Sequence, residues 1–127
     1  MRAIFMFNLN YVLILASVMI ISGGQLAFKY AANKIQVGSN ATLVEMARVN
    51  VVPISIIVLA LTMYLISTVA WVQALRSIPL SVAFMFNSLA FVIIPVLSWV
   101  FFGERINSGM ILGTFLIILG IAVIVLF

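Results

Sequence analysis

The chain has no cysteine and no histidine, only three prolines, and only two acidic side chains among its 127 residues. Without cysteine there is no disulfide and no thiolate nucleophile. Without either residue, a nitrogen- or sulfur-ligated metal site has no ligands. Glu45 and Glu104 are too few to cage a hard cation. The six basic residues set the net charge at +4. They are scattered at the ends of apolar runs, where they would meet lipid phosphates, and form no nucleic-acid patch. The expectation is a protein that is not an enzyme, with no cofactor, no metal and no nucleic-acid partner.

What the chain has is apolar surface. Hydrophobic residues make up 67% and charged residues 6%, against roughly 25% charge in a soluble domain. Four apolar runs stand out, at residues 11–30, 52–75, 80–102 and 109–127. About 20 such residues cross about 30 Å of hydrocarbon. The runs must be helical, because lipid offers backbone groups no partner. They do not alternate, which excludes a β-barrel. The first run lacks a clear small-x-small cleavage site and is expected to remain as a span. The expected fold is an all-α integral membrane protein, a single four-helix domain over residues 1–127.

The first connection carries Lys34, Gly38, Ser39, Asn40, Glu45 and Arg48. Within it, residues 42–50 suit a short interfacial helix. Pro53 fits the first turn of the second span, where its missing N–H costs nothing. Pro79 should start the third span, and Ser108 is the expected N-cap of the fourth. Short links make the last three spans antiparallel neighbours. No internal repeat is visible. Lys29, Lys34, Arg48 and Arg105 fall on one side of the membrane, Arg2 and Arg76 on the other. The positive-inside rule then places both ends outside, by a margin small enough to permit either orientation. Four helices fill their own centre with side chains, so a translocation path is expected to need a second subunit.

Polar groups inside the membrane are costly and are the first functional candidates. Ser22, Gln25 and Lys29 are three and four residues apart and share a face of the first span. One reading is a polar path for a headgroup. The other is a glutamine bonded to a neighbouring helix and a snorkelling lysine. On the second span Tyr64, Ser67 and Trp71 recur on one face, with Thr68 adjacent. The hydroxyls can bond their own helix, and Trp71 suits the interfacial aromatic belt. On the third span Asn87 and Ser88 lie near mid-membrane. Pro95 removes the bond to the Phe91 carbonyl and should kink the helix as a gate, or merely shape its packing. Glu104 and Arg105 read as an interfacial ion pair at the end of that span. Gly109, Gly113 and Gly120 give the fourth span a smooth packing face, within the subunit or between subunits.

From Trp71 to Val123 the chain resembles the drug/metabolite transporter superfamily, in particular the small multidrug resistance proteins and EamA-type domains. The matching residues are Gln73-Ala74-Leu75, Ile78-Pro79, Ser98-Trp99 and Phe101-Phe102-Gly103-Glu104-Arg105, with the glycines of the last span. The multidrug branch carries a glutamate in its first helix that binds protons and cationic drugs in turn. Aligned on Lys29, this chain has Ile21 there. Phe84 and Asn87 stand where that branch lines its drug site with a tyrosine and a tryptophan. The pattern Gly24-Gln25-Leu26-x-x-Lys29, with Glu104, is instead similar to the small subunits that flip aminoarabinose-phosphoundecaprenol for lipid A modification.

That resemblance implies a lipid-linked sugar substrate, a Gram-negative inner membrane, and a pair of four-helix subunits, either an antiparallel homodimer or a heterodimer. Ser22, Gln25 and Asn87 would shelter the sugar, and Lys29 or Arg105 would meet the phosphate. Three readings stand at this point: a flippase subunit, an exporter of small cationic solutes with Glu104 as coupling acid, and a non-transporting assembly partner.

Overall fold

The computed structural model describes residues 9–127; Arg2, counted in the charge balance, lies outside the described residues. The described chain is all helix, with no strand: α1 Leu9–Lys34, α2 Leu43–Val49, α3 Val51–Leu75, α4 Leu80–Asn87, α5 Ala90–Phe102 and α6 Ser108–Leu126. Three helical segments are long and apolar enough to cross a membrane: α1, α3, and α4 with α5 taken together. The apolar stretch Ser108–Ile124 is shorter.

Small residues organise the main packing. The buried positions of α1 include Ser17, Gly24 and Ala31, and those of α3 are Pro53, Ala60, Ser67 and Ala74. Each set recurs every seventh residue, close to two helical turns, so each forms one straight seam. Facing each other, the seams let two backbones approach closely without large side chains between them. Ser17 Oγ donates to the Ser67 carbonyl at 3.2 Å, and Ser67 Oγ donates to the Ser17 carbonyl at 3.3 Å. Both buried hydroxyls are therefore satisfied across the helix pair. Thr68 bonds its own helix as expected, donating to the Tyr64 carbonyl at 2.8 Å, whereas Ser67 does not.

At one end of this pair the tight α3–α4 connection buries Ile78, which joins Ile14, Val18, Ala74 and Ala83 in an apolar cluster flanked by Trp71 and Phe86. That cluster fixes α4 against α1 and α3.

The third apolar run differs from the expected continuous helix. It is interrupted at Ser88-Leu89, where Leu89 N–H donates to Phe86 O at 3.1 Å and Phe91 N–H donates to Ser88 O at 3.0 Å. These are tightened three-residue turns. Ser88 Oγ donates to the Met85 carbonyl, a side-chain competitor for the backbone ladder. The irregular turn thus lies at Ser88, while Pro95 sits inside α5. Gly103 closes α5 with φ +64°, its N–H donating to Trp99 O at 3.0 Å, the left-handed cap that glycine adopts without strain.

Asn107, not Ser108, caps α6: its Oδ1 accepts from Met110 N–H at 2.8 Å, and Ser108 is the first helical residue. An amide carboxamide one position earlier reaches the same orphan N–H. α6 leans mainly on α5, and no described residue along it is buried.

The connection between α1 and α3 is closed by a clamp. Asn50 is buried; its Nδ2 donates to Gln36 O at 2.8 Å and Met46 O at 2.9 Å, and Gln36 N–H donates to Asn50 Oδ1 at 2.7 Å. Within it α2 forms as expected, with Thr42 and Glu45 in a reciprocal capping box.

Candidate functional site

A groove of about 220 Å³ lies where α1, α3 and α4 meet. Ile21 contributes from α1, Tyr64, Ser67, Thr68 and Trp71 from α3, and Phe84 and Asn87 from α4. Four of the expected substrate-binding residues, Tyr64, Trp71, Phe84 and Asn87, are brought together here. The hydroxyls of Ser67 and Thr68 are already engaged with backbone carbonyls. The amide of Asn87 and the indole N–H of Trp71 have no hydrogen-bond partner among the described residues, so they are the groups left for a ligand.

Tyr64 is set by three neighbours. Its ring lies over Gly24, so closely that a Cβ there would stand 2.8 Å from Cε2. Phe28 packs beside it, with ring centroids 5.8 Å apart. Gln25 Nε2 donates to its Oη at 2.7 Å. Having accepted that bond, the phenol still has its own proton to give. Trp71 and Phe84 meet edge to face at 6.0 Å, a preferred aromatic geometry. The groove therefore offers aromatic walls, donors and one amide acceptor. None of the residues lining it carries a formal charge at neutral pH, and Ile21 stands among them.

Along α1 the polar path steps by four residues, from Ile21 at the groove to Gln25 and then Lys29, which matches one helical face. Lys29 Nζ reaches Glu104 Oε1 at 3.2 Å, with the two side chains 49% and 47% exposed. This pair joins α1 to the α5–α6 connection. The expected pairing of Glu104 with Arg105 is replaced by it, and Arg105 is exposed without an ion-pair partner among the described residues.

Other expected site residues fall elsewhere. Ser22 is buried and donates to the Val18 carbonyl at 2.8 Å, off the polar face. Ser88 shapes the turn in its own helix. Pro95 lines a second, apolar groove of about 290 Å³ between α5 and α6. A Cβ on Gly109 would meet Asn107 Oδ1 at 3.3 Å, whereas Cβ atoms on Gly113 and Gly120 would meet nothing within 4 Å. The sequence reading missed Gly24 as the seat of Tyr64. The signal was its place seven residues after Ser17.

Comparison with known proteins follows the same line. A family model described as "EamA-like transporter family" matches residues 4–126. A Proteus mirabilis protein described as "Probable 4-amino-4-deoxy-L-arabinose-phosphoundecaprenol flippase subunit ArnF" is 35% identical over 74 residues, 57% of this chain and 56% of that protein. That match spans about half of the relative's length. Proteins with the same description from Pseudomonas savastanoi pv. phaseolicola and Pseudomonas fluorescens are 29% and 26% identical over 113 residues, covering 87% of this chain and 82% of each relative. No solved structure matches the chain.

Proposed function

This chain belongs to the EamA-like transporter family, and from that premise we propose that it is a flippase subunit moving a polyprenyl-phosphate-linked amino sugar across the inner membrane by alternating access. It is a multi-pass membrane protein with three helices of spanning length. The observation that carries the reading is the uncharged, aromatic and amide-lined groove with Ile21 in its wall. Sugar hydroxyls are donors and acceptors at once, and their ring faces are apolar. Asn87, Tyr64 and the Trp71 indole supply the matching polar groups, while Trp71 and Phe84 supply the apolar wall. Similarity to proteins described as flippase subunits supports the substrate class.

In the proposed mechanism the sugar enters the groove and competes with Gln25 for the Tyr64 hydroxyl. Lys29 and Arg105 meet the phosphate, because a charge-assisted bond offsets its loss of water. Switching of access uses the turn at Ser88-Leu89, where the helical ladder is already tightened, together with Pro95 in α5. The lipid tail does not enter this polar groove. No bond in the substrate is made or broken.

The proposal includes a single four-helix domain over residues 1–127 and a paired subunit. α6, with 19 residues, reaches about 28 Å at 1.5 Å per residue, enough for a fourth crossing. The uncovered Gly113 and Gly120 suit an approach by a second subunit, whether an antiparallel copy or a related chain. The cation-exporter reading gains little, because Glu104, its required coupling acid, is half exposed and paired with Lys29. Export of the lipid-linked amino sugar in cells tests the proposal. Gln25→Ala and Asn87→Ala should each reduce it severely, and intact export in both variants would refute the site.

A further inference from the structure

A second cavity takes no part in the polar groove and shares no residue with it. It is a trough of about 290 Å³ between α5 and α6, walled by Val92, Pro95, Val96, Met110 and Phe115, with Ile106 of the connecting loop at one end. Thr114 is its single hydroxyl-bearing wall residue. It remains open because α6 leans on α5 without burying any described residue. The volume is roughly twice the ~150 Å³ that admits a benzene molecule, so it accepts the width of one hydrocarbon chain.

Charge at one end tells what kind of chain. Ile106 directly follows Arg105 and Glu104. Arg105 is exposed without an ion-pair partner among the described residues, and Lys29 is held there by Glu104 at 3.2 Å, in a pair about half open to solvent. An arginine fork matches phosphate oxygens two at a time. An apolar trough whose wall residue Ile106 directly follows Glu104 and Arg105 in the chain, with Lys29 paired to that Glu104, suits a single-chain lipid phosphate.

We propose that the α5–α6 trough seats the isoprenoid chain of a polyprenyl phosphate, with Arg105 binding the phosphate and Lys29 joining it when Glu104 is displaced. This deepens the flippase reading and rests on it for the choice of an isoprenoid over another single-chain lipid. Glu104 then acts as a resident anion that keeps the mouth closed until the lipid phosphate arrives. Headgroup and chain are recognised by different helices, on either side of the α4–α5 turn.

The test uses the full chain in phosphatidylethanolamine nanodiscs, with undecaprenyl phosphate lacking any sugar as the probe and native mass spectrometry as the readout. Wild type should retain undecaprenyl phosphate at least tenfold better than undecaprenol, and added inorganic phosphate should not displace it. Thr114→Trp, which fills the trough, should weaken retention about tenfold, while Thr114→Val should not. Arg105→Gln should erase the preference for the phosphate over the alcohol. A photoreactive group on the isoprenoid chain should label wild type on α5 and α6. Unweakened binding in Thr114→Trp, labelling of α1 and α3, or linking of Thr114 to a second copy would overturn the proposal. So would displacement by inorganic phosphate, which would mark a free-anion site. Asn87→Ala separates the two readings. It should leave sugarless lipid retention unchanged and weaken only the sugar-bearing lipid. Equal binding of both lipids by wild type would sink the sugar-flippase reading and leave the trough standing.

Discussion

Gly23 and Gly24 are adjacent in α1 and should respond oppositely to the same substitution. A Cβ on Gly24 would lie 2.8 Å from Tyr64 Cε2 and 3.1 Å from Cδ2, while one on Gly23 meets nothing within 4 Å. Carbon atoms rest at about 3.5–4.0 Å, so Gly24→Ala forces the ring back by about 1 Å. Overpacking of this kind costs about 1–3 kcal/mol. Replacing glycine by alanine inside a helix contributes about 0.5–1 kcal/mol in favour of either variant. The helix term cancels in the comparison, leaving Gly24→Ala less stable than Gly23→Ala by about 1–3 kcal/mol, the overpacking cost alone. The ring can also escape by swinging away, and then the 2.7 Å bond from Gln25 to Tyr64 Oη is lost, a net loss of about 0.5–1.5 kcal/mol. Thermal unfolding of the two variants in one detergent reads the difference as several degrees. Repeating both in a Tyr64→Ala background should abolish it, since the clash then has no partner. Equal melting temperatures for Gly23→Ala and Gly24→Ala in the native background would refute the close approach of Tyr64 to α1.

Asn50→Ala removes the clamp on Gln36, a net loss of about 0.5–1.5 kcal/mol for each hydrogen bond; amide exchange at Gln36 should quicken while that of mid-α3 stays unchanged. The backbone N–H of Thr42, and then its hydroxyl, hold the Glu45 carboxyl below its ordinary value of 4.5. A group depressed in the folded state stabilises above its unfolded value and loses that contribution as pH falls through the folded one. Cα chemical shifts over residues 43–49 should therefore lose helical character as pH drops below 4.5, and Thr42→Ala should show the loss at neutral pH. The Lys29–Glu104 pair is about half exposed, so its neutralisation by Lys29→Gln should cost no more than about 1 kcal/mol. The exchange of charges in Lys29→Glu with Glu104→Lys should restore melting but not lipid export.

Much of the architecture was legible because the bilayer leaves few choices: four apolar runs without alternation can only be helices. The short helix over residues 42–50 was equally readable, while its capping box at Thr42 and Glu45, though local in sequence, went unread. What was hidden depended on partners across helices. Ser67 was expected to bond its own helix, and only its register opposite Ser17 turns it outward. Ser22, three residues from Gln25, appeared to share its face, yet the polar face follows the four-residue step through Ile21, Gln25 and Lys29. Pro95 drew attention as a breaker, whereas the ladder actually tightens at Ser88, where a hydroxyl competes for a carbonyl. Lys29 and Glu104, far apart in sequence, could be paired only once α1 and α5 had been placed.

The seven-residue spacing of small residues has a further implication. On α1 and α3 the seams Ser17-Gly24-Ala31 and Pro53-Ala60-Ser67-Ala74 are buried against each other. Ala83 of α4 is buried in the cluster, with Ala90, seven residues on, packed beside it. Gly113 and Gly120 repeat the spacing on α6, but there the seam faces nothing. A glycine inside a helix costs about 0.5–1 kcal/mol relative to alanine. On the other helices that cost is offset by close backbone approach, as Gly24 offsets it by admitting Tyr64. For α6 the offset must come from outside the chain. Under the proposed pairing, a second subunit supplies it, and α6 stays in place while the α5–α6 trough remains open to lipid on its other flank. Gly113→Leu together with Gly120→Leu should then abolish pairing, measured by the mass of the protein in nanodiscs. They should leave the Gln25–Tyr64 groove intact, because no residue of α6 lines it. Retained pairing in that double variant would show that the α6 seam is not the contact and that the glycines serve the single chain alone.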